Sequence, residues 1–166
     1  MPRLSRSGPD WRRWLVLAAL ILGIDQLTKL MVTSSLSLGA EIPITGYLNL
    51  VFVLNPGAAF SFLADAGGWQ RWFFTGLTLV VVAVLLVLIR KSPQQSLFCL
   101  AASLIMGGAL GNLIDRLMIG AVIDFIDLHV AGWHWPAFNV ADSAITLGAV
   151  LFVLDELLRV RRGSRS

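Results

Sequence analysis

Four stretches, near 14–33, 70–89, 96–116 and 138–158, each hold about twenty mostly apolar positions, enough helix to cross a hydrocarbon core roughly 30 Å thick. Each is predicted to be a membrane-spanning helix. The second has no charge between Trp72 and Ile89 and reads as scaffold. Between the first two spans the period changes. "EIPITGYLNLVFVLNPGAAFSFL" alternates β-branched and aromatic residues between turn signals at Pro43, Gly46 and Asn55-Pro56-Gly57, which predicts two short strands. Phe60, Phe62, Trp69 and Trp72 then suit a membrane–water interface. Residues 34–69 and 117–137 are the two loops that join spans on one side.

Composition turns this pattern into a class. The 166 residues are 57% hydrophobic and 14% charged, whereas soluble domains carry about 25% charged residues. The expectation is a single integral membrane domain over 1–166. A net charge of +3 does not indicate nucleic acid here, because what matters is where the basic residues lie. Arg3, Arg6, Arg12 and Arg13 precede the first span, Arg90 and Lys91 join the second to the third, and Arg159, Arg161, Arg162 and Arg165 follow the fourth. Lys and Arg are retained on the cytoplasmic side, so both termini are expected inside and both long loops outside. Asp25 and Lys29 interrupt the first run, which argues for a retained span over a cleaved leader. The lone cysteine, Cys99, reads as a small packing residue and excludes a disulfide within the chain.

Ionisable side chains at membrane depth are expensive and usually face a bundle interior. Residues three and four apart share a helix face. Asp25, Thr28 and Lys29 make one polar stripe, Asn112, Asp115 and Arg116 a second, and Asn139, Asp142, Ser143 and Thr146 a third. With the expected topology all three lie toward the outer end of their helices and can meet at one level. Gly107 and Gly111, at small-xxx-small spacing, let the backbones approach. Asp25 and Lys29, one turn apart, read as an internal ion pair. Asp115 reads as structural too, and Arg116 as a candidate for holding substrate carbonyls through its fork of donors.

The second loop brings Asp124 and Asp127 up to the fourth span. Two carboxylates in a partly dry site cannot both ionise easily, so Asp124 and Asp142 would share one proton. In that state one activates water and the other polarises a peptide carbonyl, the chemistry of an aspartic protease. Asp127 reads as a solvated loop charge or a turn residue. His129 and His134 lack a strong metal-ligand spacing, and no metal or cofactor is expected. Ser143 or Ser61 with a loop histidine would be a serine protease, but no G-x-S-x-G turn is present. A proton-coupled transporter is the alternative from another class, although it should hold its acid near the midplane.

Five motifs then occur in order: "DQLTK" (25–29), "NPGAAFSF" (55–62), "GGALGNLIDR" (107–116), "VIDFI" (122–126) and "FNVADSAI" (138–145). In them the chain resembles the bacterial lipoprotein signal peptidases, or signal peptidase II, over nearly its whole length. The resemblance implies an all-α membrane fold of four transmembrane helices, both termini in the cytoplasm, with a small periplasmic β-sheet and a short interfacial helix between helices 1 and 2. It implies cleavage of prolipoproteins on the amino side of a diacylglyceryl-modified cysteine, in the bacterial inner membrane, by Asp124 and Asp142. Asn55, Gly108, Asn112, Arg116 and Asn139 match positions lining the site for substrate or globomycin-type inhibitors, while Asp25 and Lys29 match supporting residues. Beyond lipidated substrate, membrane lipid and such inhibitors, the resemblance implies no partner and no nucleic acid. Pro56, in a position that varies, and Asp127 depart from the pattern.

Overall fold

The computed structural model describes residues 10–57 and 68–163. In chain order it comprises α1 (Arg12–Ser35), β1 (Glu41–Pro43), β2 (Leu48–Asn55), α2 (Gln70–Lys91), α3 (Ser96–Ile119), β3 (Val122–Val130), β4 (Trp133–His134) and α4 (Val140–Gly163). Each predicted span is a helix that begins and ends within a few residues of its expected bounds. The expected interfacial helix, with Phe60, Ser61 and Phe62, lies outside the described residues.

The helices are turned inside out relative to those of a soluble bundle. Leu20, Leu30 and Met31 of α1, Leu79 and Val80 of α2, and Val153 and Leu157 of α4 are exposed, whereas Asp25, Lys29, Asn112 and Asp115 are buried. That distribution fits a protein whose solvent is hydrocarbon. Among the described residues three helices, α1, α2 and α3, are long and apolar enough to cross a membrane. α4 has the same 24-residue length as α1 and α3 but carries Asp142 near its start and Asp155, Glu156 and Arg159 near its end.

The third helix, α3, is central and packs against α1, α2 and α4. Of its apolar stretch 61% is buried, against 22% for α1 and 17% for α2. Small side chains make that position possible. A Cβ on Gly107 would lie 2.5 Å from the Ala18 carbonyl oxygen of α1, and one on Gly108 would lie 2.4 Å from the Ala141 carbonyl oxygen of α4. Gly148 returns the contact from α4, where a Cβ would meet Ile105 of α3 at 2.7 Å.

The sheet is antiparallel in the order β1-β2-β3-β4. The two strands predicted between the first spans are β1 and β2. Two more, β3 and β4, come from the 117–137 segment, where the sequence pattern predicts a loop. Val122, Ile123, Phe125, Ile126 and Val130 give β3 its strand character. Gly120, left-handed at φ 82°, ends α3 and turns the chain straight into it. β2 bonds to one edge of β3, with Asn55 opposite Val122 and Val53 opposite Asp124. On the other edge the Phe138 carbonyl accepts from the Phe125 and Ile126 N–H groups, at 3.0 and 2.8 Å. The strand carrying Asp124 is thus tied to the residue before Asn139.

Candidate active site

Helix α4 begins with Asn139 as its cap. The Asn139 side-chain Oδ1 accepts from the Asp142 N–H at 2.8 Å, and Asp142 Oδ2 accepts from the Asn139 N–H at 3.3 Å. The two residues satisfy each other's backbone donors, as in a capping box. Another N–H of this first turn, that of Ala141, donates to Asp25 Oδ1 of α1 at 2.9 Å. A carboxylate near the start of an apolar helix therefore has a local role: it closes the helix end and meets its positive dipole.

Beneath this turn lies a buried ion cluster. Lys29 Nζ is 2.8 Å from Asp25 Oδ2 and 2.7 Å from Asp115 Oδ2, and it donates to Asn112 Oδ1 at 2.9 Å. Gln26, whose role the sequence reading missed, donates to Asp115 Oδ1 at 3.0 Å and to the Gly111 carbonyl at 3.1 Å. Its only signal was its place inside "DQLTK". Gly111 admits the cluster, since a Cβ there would lie 2.4 Å from Asp25 Oδ2. Asp115 Oδ2 also accepts the Ile123 N–H at 3.2 Å, which joins the cluster to β3. Asp25, Lys29 and Asp115 thus meet in one cluster that joins α1, α3 and β3. Thr28 instead turns its hydroxyl to its own helix, donating to the Ile24 and Asp25 carbonyls.

Asparagine amides carry this order to the two aspartates. Because Asn112 Oδ1 faces Lys29, its Nδ2 faces Asp142 and donates to Oδ1 at 2.8 Å. Because Asn139 Oδ1 takes the Asp142 N–H, its Nδ2 points to Asp124 and donates to Oδ1 at 2.7 Å. Asn55, from the end of β2, donates to Asp124 Oδ2 at 3.0 Å. Asp124 is 2% exposed. Burial, and then the nearby Asp142 charge, push its carboxyl up to about 7, against the pull of the Asn55 and Asn139 amides and of Lys29.

Asp142 opens on a cavity of about 620 Å³. Asn55, Asn112 and Arg116 give it polar lining, Thr146, Leu147 and Val150 line it from α4, and Leu128 and Trp135 add apolar wall. Arg116 donates through Nη2 to the Gly57 carbonyl at 2.9 Å and through Nη1 to the Asn112 carbonyl at 3.3 Å. Its Nε is buried with no hydrogen-bond partner among the described residues. Gly108 differs from the other resemblance-implied positions, since it faces the backbone of α4. The aromatic wall at Trp135 was not anticipated; "WHWPAFN", aromatic and led into α4 by Pro136, was its signal.

The expected solvated charge at Asp127 is a buried one, 6% exposed. It sits opposite Asn49 in the β2–β3 ladder, accepts from Asn49 Nδ2 at 2.9 Å, and lies 2.9 Å from His134 Nδ1. Strand pairing buries it, which a loop would not. His129 lies 3.2 Å from Asn49 Oδ1 and stacks on His134, with ring centroids 5.0 Å apart. Both rings are engaged in the sheet. The Ser143 hydroxyl donates to the Asn139 carbonyl at 2.9 Å, and Ser61 lies outside the described residues.

The sequence matches the model of the Signal peptidase (SPase) II family over residues 17–158. It is 57% identical to the lipoprotein signal peptidase of Cupriavidus necator over 149 residues, 90% of this chain and 85% of that one. With the lipoprotein signal peptidase of Paraburkholderia phytofirmans it shares 54% identity over 164 residues, 99% of this chain and 95% of the relative. Its fold is similar to a bacterial membrane enzyme structure obtained by the in meso method, with a TM-score of 0.81, 31% identity and 89% of each chain covered. By sequence and by fold, the chain belongs to the signal peptidase II family.

Proposed function

We propose that this membrane enzyme cleaves the signal peptide from diacylglyceryl-modified prolipoproteins, on the amino side of the lipidated cysteine, using Asp124 and Asp142 as a proton-sharing pair. The observation that carries the reading is the pair itself. Two carboxylates from different elements are oriented by three asparagines, neither is ion-paired to a cation among the described residues, and Asp142 lines a cavity. With Asp124 lifted to about 7, one proton rests on the pair near neutral pH. The ionised carboxylate takes a proton from water as its oxygen attacks the scissile carbonyl, and the protonated one donates to that carbonyl's oxygen. The carboxyl that took the water proton passes it to the leaving nitrogen as the C–N bond breaks, and the other takes a proton back from a hydroxyl of the tetrahedral intermediate, which restores the pair.

The remaining residues hold and orient. Asn112 and Asn139 fix the carboxylates, Asn55 holds Asp124 from the sheet side, and the free Nε of Arg116 leaves a donor for a substrate carbonyl or an inhibitor of the globomycin type. Gly108 acts by letting α3 and α4 close behind the pair. In this reading all four helices span the inner membrane as one unit over 1–166. Both termini lie in the cytoplasm and the sheet rests at the periplasmic face, in keeping with basic residues at one end of the bundle. The apolar wall formed by Leu147 and Val150 then faces the lipid from which the substrate arrives.

The test is cleavage of a purified diacylglyceryl-prolipoprotein by the enzyme in lipid, with the new ends mapped by mass spectrometry. Cleavage just before the modified cysteine, unchanged by EDTA, is expected. Cleavage lost to EDTA and restored by zinc, or equal turnover of the unlipidated precursor, would contradict it.

A further inference from the structure

We infer that the β3–β4 hairpin is an interfacial foot, standing in the lipid headgroup region and holding the mouth of the catalytic cavity at that level. At its end lies a shallow groove of about 300 Å³ walled by Tyr47, Leu128, His129, Val130, Trp133 and Trp135. Tyr47 is 68% exposed, and Val130 and Trp133 are each 62% exposed. These walls include no Lys, Arg, Asp or Glu. Water is a poor solvent for such a surface, whereas indole and phenol rings suit the membrane–water boundary, with an apolar body and a polar tip.

Two further observations fix lipid as the occupant. Leu128 and Trp135 wall both this groove and the catalytic cavity, whose lower wall is Leu147 and Val150 of α4, themselves exposed. The groove thus continues an apolar surface that already faces hydrocarbon. Trp69 and Trp72, exposed at the start of α2, provide a second aromatic foothold. A peptide segment fits less well, because walls almost wholly apolar would leave its backbone groups unpaired. Asp127 gains a role here. By accepting from Asn49 and contacting His134, it clamps the hairpin to β2 and keeps Trp133 and Trp135 facing one way.

The inference rests on the membrane topology proposed above and not on the peptidase chemistry. Full-length enzyme is placed in vesicles of phosphatidylethanolamine and phosphatidylglycerol brominated at defined acyl carbons, and Trp133→Phe is compared with the wild type. The difference in fluorescence between them is expected to be quenched most by bromines near the glycerol end and little by aqueous iodide. In the same vesicles the double variant Tyr47→Ser/Trp133→Ser should raise KM several-fold with kcat retained. In detergent micelles, which impose no fixed surface plane, it should match the wild type. Quenching of Trp133 by iodide alone overturns the proposal. So does an equal rise in KM in vesicles and micelles, which would make the groove a substrate site for an acyl chain or for residues after the cysteine. A wild type without peptidase activity but with lipid quenching of Trp133 would sink the functional reading and leave the foot standing.

Discussion

The molecule holds two pairs of aspartates, all buried but the half-buried Asp142, and they have opposite fates. Asp25 and Asp115 clasp Lys29 between them and bind backbone N–H groups of α4 and β3, so their charge is neutralised in place. Among the described residues Asp124 and Asp142 accept from asparagine amides and one backbone N–H and pair directly with no cation, and Asp142 opens on a cavity. Burial alone does not mark a catalytic carboxylate. What sets the second pair apart is a missing countercharge and, at Asp142, an open cavity, the features on which the proposed catalytic role rests.

The widest separation between the two pairs should appear in activity. Asp142→Asn keeps a side chain of the same size, and loss of the proton-transfer group is expected to lower kcat by about 10²–10⁴-fold, read in the prolipoprotein cleavage assay. Lys29→Met should do the reverse. It leaves two buried carboxylates facing each other without a cation, and removing one partner of a buried ion pair costs about 3–5 kcal/mol, read as a loss of denaturation midpoint. An inactive Lys29→Met that melts like the wild type would erase the distinction. Gly111→Ala presses a methyl on Asp25 Oδ2 and should destabilise by about 1–3 kcal/mol with a smaller loss of activity.

The subtlest separation is in pH. The Asp124 carboxyl, raised to about 7, holds its proton in the folded protein where the unfolded chain has lost it. Stability from this group is present below the unfolded value near 4 and is lost as pH rises through about 7. Asp124→Asn should flatten that slope in thermal melts taken across the range. In the wild type, kcat/KM should fall on the alkaline side as the shared proton leaves.

Much of this was legible in the sequence because helix geometry is local. Spacings of three and four brought Asp25 to Lys29 and Asn139 to Asp142. The same rule blurred Asn112, Asp115 and Arg116, which share a stripe yet divide: Asn112 and Arg116 line the cavity, while Asp115 turns to Lys29. Strand pairing was harder to foresee. Asn49 meets Asp127 across 78 positions, and no short window contains both. With that pairing unseen, a buried clamp read as a solvated charge and a four-stranded sheet as two strands and a loop.

The central claim is that one proton sits on the Asp124–Asp142 pair near neutral pH. Infrared difference spectra of the enzyme in lipid, taken between pH 5 and 9, would observe the carboxylic acid C=O stretch directly. The account predicts a band that disappears as pH passes through about 7, that is lost in Asp124→Asn, and whose midpoint falls to lower pH in Asp142→Asn, where the neighbouring charge no longer adds to the effect of burial on Asp124. A band that survives in both variants, or no such band in the wild type at pH 6, would contradict it.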